Sequence, residues 1–223
     1  SAAGNKEAGR EGKTMNSIYL HPLPVRMWHW LNVLCFAVLI VTGAQIRYRG
    51  IMNVMSFRTA VDIHNIAGFA LVGLFLVWGA YYAGTGKMRI YLPDLNIKRY
   101  VRSMWTQAQY YGYGIFVGAP NPHHATPDHK FNAMQQIAYF SIMFGMMPVL
   151  MATGFLLWDI DRFAAFIDAV GGIKAVGTAH LLVTICLIAF LFVHVYLTTL
   201  GRTPLEHIKA MFTGYEEEPE HGR

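Results

Sequence analysis

Ten histidines occur among the 223 residues, and four of them lie within or at the margin of long stretches free of Asp, Glu, Lys and Arg: His29, His64, His180 and His194. An imidazole in such a setting is a hydrogen-bonded packing group, a relay for protons, or a ligand to a metal centre. Taken singly, each of the four reads as readily as packing. Taken together they do not. His180 and His194 are 14 residues apart. At about 100° per residue, a helix turns roughly 1400° over that interval, about 40° short of four full turns, so both rings fall on nearly one face. The rise of about 1.5 Å per residue separates them by roughly 21 Å along the axis.

The elements that must carry these rings are apolar helices. The charge-free runs are 27–46, 63–86, 131–158 and 175–201, of 20, 24, 28 and 27 residues. About 20 apolar residues suffice for a helix to cross a bilayer core of ~30 Å. The chain is 54% hydrophobic and 14% charged, against roughly 25% charged in soluble domains. These features exclude a soluble domain. They also exclude a β-barrel, whose strands are about 10 residues long with alternating polarity. The expected fold is all-α: an integral membrane four-helix bundle, with short interfacial helices, in one membrane domain covering 1–223.

Lys and Arg number four in 1–26, three in 47–62, six in 87–130, two in 159–174 and three in 202–223. Alternate segments therefore hold 13 and 5, and positive charge collects on the cytoplasmic side. Both termini, the 87–130 loop and the 203–223 tail are expected to be cytoplasmic. The net charge of +5 follows from this flanking pattern rather than from a nucleic-acid surface. Residues 1–26 lack the apolar core of a cleavable signal peptide, and the first span is expected to act as its own insertion signal. With this topology His29 and His194 lie near the inner face, and His64 and His180 near the outer. The rings pair as His64/His180 and His29/His194. Two facing pairs stacked across a bilayer fit two haem groups with both axial positions filled, which carry electrons and leave no vacant site at iron.

Other residues have more than one reading. Arg26, three positions before His29, is either a propionate partner or a cationic anchor on the inner side. Cys35 and Cys186 lie in apolar runs and read as packing residues. Two thiols cannot hold an iron–sulfur cluster, and no C-x-x-C-H is present for covalent haem attachment. Gly43, Gly68, Gly73, Gly79, Gly145, Gly154 and Gly177 allow close helix approach or room for a flat macrocycle. In the loop, Ile97, Val101, Met104, Trp105 and Ala108 recur at helical spacing with Lys98, Arg99 and Arg102 between them, the pattern of an amphipathic helix on the membrane surface. Residues 161–170 suggest a short interfacial helix. Thr203, Pro204 and Glu206 suggest a capped one, followed by a disordered acidic end at 216–220.

The segments PVRMWHWLNVLCFAVLIVTG (24–43), DIHNIAGF (62–69), KFNAMQQIAYF (130–140) and the His180/His194 spacing resemble the prokaryotic di-haem membrane cytochrome b family. Its members are integral subunits of formate dehydrogenases, nickel–iron hydrogenases and thiosulfate reductases. The resemblance spans roughly residues 18–212, with a long 87–130 loop as its main departure from compact members. It implies two haem b groups held by the pairs above. It also implies a quinone (menaquinone or ubiquinone) site beside the inner haem, where Asn132 and Gln135 match the family pattern. On the residues alone, those two amides read first as the cap of the third helix. His129 and Lys130 could deliver protons there; for them, as for His123 and His124, surface exposure is the plainer account.

The expected function is that of the membrane subunit of a respiratory oxidoreductase in a bacterial or archaeal cytoplasmic membrane. It relays electrons between a peripheral partner on the outer face and the quinone pool near the inner face. The partner is an iron–sulfur or c-type cytochrome protein, or a hydrogenase, dehydrogenase or reductase. The chain itself carries no P-loop, dinucleotide fingerprint or metal-binding cysteine cluster, and so no substrate-oxidising centre is read from it. Two other classes compete: a proton channel or transporter built on a histidine relay, and a passive membrane anchor. The first predicts a continuous polar path, the second no matched depths for the histidines.

Overall fold

The computed structural model describes residues 17–123, 131–200 and 203–217. His124, His129 and Lys130, and the end of the chain from Glu218, lie outside the described residues. The protein is an all-α membrane protein with four helices long and apolar enough to span a bilayer: Leu23–Arg47, Phe57–Gly84, Ala133–Trp158 and Gly172–Thr198. Helix α1 (Leu23–Arg47) carries a proline in its first turn, where the missing N–H costs no helical bond, and Arg47 in its last turn, where a cation complements the helix dipole. Helix α2 (Phe57–Gly84) starts at Ser56, whose hydroxyl accepts the backbone N–H of Thr59 at 3.1 Å. The link between them is pinned by buried Gln45, which donates to the Met52 carbonyl and accepts the Val54 N–H.

After a 3-10 turn at Lys87–Tyr91, α3 (Ile97–Gly112) follows, capped by Asn96. Ile97, Val101 and Trp105 stand exposed in a row on it at four-residue spacing. The third span consists of α4 (Ala133–Ser141), a π-helical turn (Ile142–Met146) and α5 (Met147–Trp158). Pro148 explains the π turn, since a proline inside a helix removes one backbone bond and crowds the carbonyl four residues back. The short α6 (Ala164–Ala169) falls within the segment expected to form an interfacial helix, and leads into α7 (Gly172–Thr198).

The spans pack as two antiparallel hairpins, α1 along α2 and α5 along α7, while α2 meets α5 at only a few positions. A small buried core of Trp78, Tyr82, Tyr91, Met143, Met147 and Leu187 joins them. Within it the Trp78 indole N–H donates to the Tyr91 hydroxyl at 3.2 Å. Elsewhere the spans turn large apolar side chains such as Ile66 and Phe192 outward, as lipid-facing helices do.

The chain ends depart from expectation. The cap expected at Thr203 does not form. Helix α8 (Glu206–Thr213) begins two residues later, after Leu205, without a side-chain cap, and Glu206 N–H bonds the Thr203 backbone carbonyl. Part of the acidic end is ordered: β2 (Tyr215–Glu217) pairs antiparallel with β1 (Ser17–Tyr19), with Ile18 opposite Glu216. Gly214 makes that ribbon possible. Its φ is 92°, and a Cβ there would lie 2.6 Å from the Tyr19 ring and 2.9 Å from the His21 carbonyl.

Candidate functional site

His64 on α2 and His180 on α7 face each other across the gap between the hairpins, with ring centroids 6.5 Å apart and planes inclined by 65°. Each is held from behind by a threonine of its own hairpin. Thr42 Oγ1 lies 2.9 Å from His64 Nδ1 and 2.7 Å from the Val38 carbonyl. Thr153 Oγ1 lies 2.9 Å from His180 Nδ1 and 2.7 Å from the Val149 carbonyl. A hydroxyl has one hydrogen, and a carbonyl can only accept it. That hydrogen goes to the carbonyl four residues back, so each threonine oxygen accepts a proton from Nδ1. Both imidazoles are thereby fixed as the Nδ1–H tautomer, with the Nε2 lone pair free to bind a metal.

The glycine after each threonine completes the seat. A Cβ at Gly43 would come within 3.2 Å of His64 Cε1, and one at Gly154 within 3.2 Å of His180 Cε1. These two glycines make room for the imidazoles, whereas a Cβ at Gly68, Gly73, Gly79, Gly145 or Gly177 meets nothing within 4 Å.

The second pair lies toward the other end of α7. His29 on α1 and His194 have ring centroids 6.2 Å apart and planes inclined by 57°. The tryptophans flanking His29 anchor it in two directions: Trp28 donates to the Leu74 carbonyl of α2, and Trp30 to the Met211 carbonyl of α8. His194 stacks on Phe190 of its own helix. One turn before His29, Arg26 donates to the Phe212 carbonyl through one terminal nitrogen, while its buried Nε has no hydrogen-bond partner among the described residues. An unpaired buried guanidinium N–H suits a carboxylate arriving with a ligand.

Two tests of fit to haem can be made on these residues. A metal–imidazole bond of about 2.0–2.1 Å, plus about 1.1 Å from nitrogen to ring centre, places two imidazoles on opposite sides of one metal with centroids about 6.3 Å apart. The two pairs stand at 6.5 and 6.2 Å. Moreover, among the described residues no group of three or more His, Cys, Asp or Glu converges as a bare ion would need. Two trans imidazoles suit an iron that brings its four in-plane ligands with it. Both pairs are the ones that helix periodicity and topology predict. What sequence reasoning missed are Thr42 and Thr153; a Thr–Gly dipeptide occurs in three charge-free runs, at 42–43, 85–86 and 153–154, and so does not by itself single out these two.

Asn132 and Gln135 are occupied as a helix cap. Asn132 accepts the Gln135 N–H at 2.9 Å, and Gln135 Oε1 accepts the Asn132 N–H at 3.1 Å. The Asn132 amide, 5% exposed, also donates to the Tyr111 hydroxyl at 3.0 Å. The reading of these two residues as a cap is therefore realised; among the described residues the Gln135 Nε2 hydrogens and the second Asn132 Nδ2 hydrogen are not used by it. A run of rings, Phe131, Tyr139, Phe190 and His194, links this cap to the second histidine pair, with successive centroids 4.7, 6.1 and 5.7 Å apart.

Four apolar spans carrying two facing imidazole pairs define a membrane haem protein of the electron-transfer kind. The comparisons with known proteins agree. The family model for prokaryotic cytochrome b561 matches residues 20–214, and the chain belongs to that family. It is thus a b-type cytochrome of membrane electron transfer, and haem b is its implied cofactor. Among similar proteins, a chain named cytochrome YdhU from Escherichia coli K12 is 32% identical over 199 residues, covering 89% of this chain and 74% of that one. The Ni/Fe-hydrogenase 1 B-type cytochrome subunit of the same organism is 30% identical, covering 67% and 64%. A Ni/Fe-hydrogenase B-type cytochrome subunit of Cupriavidus necator is 25% identical, covering 96% and 93%.

Proposed function

We propose that the chain is the di-haem subunit of a respiratory oxidoreductase, carrying electrons between a redox partner on the outer face and a quinone near the inner face. The observation that supports this most strongly is the pair of imidazole couples at trans-ligand spacing, about 21 Å apart by helix rise. Haem b, when bound, would supply a one-electron carrier at each site. The residues do the rest. His64 and His180 hold the outer site, and Thr42 and Thr153 set their tautomer. His29 and His194 hold the inner site, and Arg26 offers its unpaired Nε to a propionate. The Gln135 Nε2 donates to a quinone carbonyl, while Asn132, itself bonded to the Tyr111 hydroxyl, holds Gln135 in place.

Both termini and the 87–130 loop face the cytoplasm in this reading, which the Lys and Arg asymmetry supports. The partner is an electron-carrying or catalytic subunit, of the kind named for the hydrogenase-associated relatives. Replacing His194 by Ala should remove one of two haems and abolish quinone-coupled electron transfer, and His180→Ala should remove the other haem. Retention of quinone coupling in His194→Ala, or loss of both haems from a folded protein in either variant, would contradict the assignment.

A further inference from the structure

We propose that Thr42 and Thr153 are positioning residues that tune the haem held by His64 and His180. The inference rests on the haem reading above and goes beyond it, because it assigns the potential of one site to two side chains that touch no iron. The same unit occurs twice, on different helix pairs. In each, a threonine hydroxyl donates to the carbonyl four residues back at 2.7 Å and accepts Nδ1–H of the opposite histidine at 2.9 Å. In each, the next residue is a glycine whose Cβ position is 3.2 Å from Cε1 of that same histidine. Thr42 is 2% exposed, so water does not compete for its oxygen.

A threonine bonding its own helix backbone is an ordinary way to satisfy a hydroxyl in an apolar helix. That habit alone does not place the oxygen on an imidazole nitrogen, and chance packing would not repeat the arrangement to within the same tenth of an ångström in both halves of the site. The chemical effect follows from the direction of the bond. An acceptor on the remote N–H of a metal-bound imidazole fixes its tautomer and ring orientation and raises its basicity. A more basic axial ligand favours the ferric over the ferrous state, so the two threonines lower the midpoint potential of that haem.

The test is a redox titration, followed optically and by low-spin electron paramagnetic resonance, of the full-length protein and its Thr42→Val, Thr153→Val, Thr42→Ser and Thr153→Ser variants. Valine keeps the shape and removes the acceptor; serine keeps the acceptor. The valine variants are expected to shift the His64/His180 haem to higher potential and move its resonance signal, leaving the other haem unmoved. The serine variants are expected to restore both properties. Loss of that haem in a valine variant with retention in the matching serine variant also supports the role. Unchanged potential in both valine variants, or equal loss of haem in serine and valine variants, overturns it. Wild-type protein that purifies without haem would instead refute the haem reading itself, a different result.

Discussion

A methyl group added at Gly154 would sit 3.2 Å from His180 Cε1, and one at Gly43 at the same distance from His64 Cε1. Carbon atoms prefer separations of about 3.5–4.0 Å, so each imidazole would have to retreat by a few tenths of an ångström. Its freedom to do so is small. Nδ1 is tied to a threonine at 2.9 Å, and that threonine is tied to its own backbone. Overpacking a fitted site of this kind costs about 1–3 kcal/mol, which corresponds to roughly 5- to 150-fold weaker retention of the group held there. The assay is the haem-to-chain ratio and absorption spectrum of purified Gly43→Ala and Gly154→Ala proteins, with Gly84→Ala as control. A Cβ at Gly84 meets nothing within 4 Å, so alanine there crowds no neighbour. The glycine variants of the site should lose or distort the spectrum of one haem while the control keeps both. Normal spectra and full haem content in both site variants would refute the reasoning, as would equal loss in the control.

Other parts of the molecule give further expectations. His207 accepts a raised pKa from its hydrogen bond to Glu216, opposed by burial and reinforced by the charges of Glu216 and Glu206. Since the folded-state value lies above the unfolded one near 6.5, the stability it lends is complete below about pH 6.5 and is lost as pH rises through the raised value. Hydrogen exchange in β2, corrected for its intrinsic pH dependence, should quicken across that window, and Glu216→Gln should remove the dependence; an unchanged profile would count against the pairing. Asn132→Ala should cost about 0.5–2 kcal/mol at the start of α4, seen as faster exchange at residues 133–136, with Asp largely tolerated in the same position. A spin label at Val101→Cys, in a Cys35→Ala, Cys186→Ala background, should be more accessible to oxygen than to a water-soluble nickel chelate. The reverse order would mean that the exposed row of Ile97, Val101 and Trp105 does not face lipid.

Much of this architecture is legible in the chain because its signals are local. Charge-free runs mark the spans, but the criterion trims their ends: α1 starts at Leu23 rather than 27, since Arg26 is helical yet charged. The histidine pairs are legible because periodicity and alternating direction fix depth and face together. The threonines and glycines behind His64 and His180 are harder to read, since their contact depends on how two helices are rotated against each other, and neither helix encodes that alone. The β1–β2 ribbon joins segments some 200 residues apart in sequence, and nothing local in an acidic tail announces a strand. At Asn132 the local rule prevailed: an amide followed three residues later by Gln formed the capping box that such spacing encodes. At Thr203 the local rule did not hold: α8 starts at Glu206 without a side-chain cap, while its last turn is docked onto Arg26 and Trp30 through the Phe212 and Met211 carbonyls.

The most direct measurement is the haem content of the purified chain, combined with the response of its reduced spectrum to carbon monoxide. Four imidazoles in two trans pairs predict two haem b per chain, both low-spin and both unreactive toward carbon monoxide. One haem per chain, none, or a carbon monoxide-sensitive spectrum in the intact protein would contradict the account.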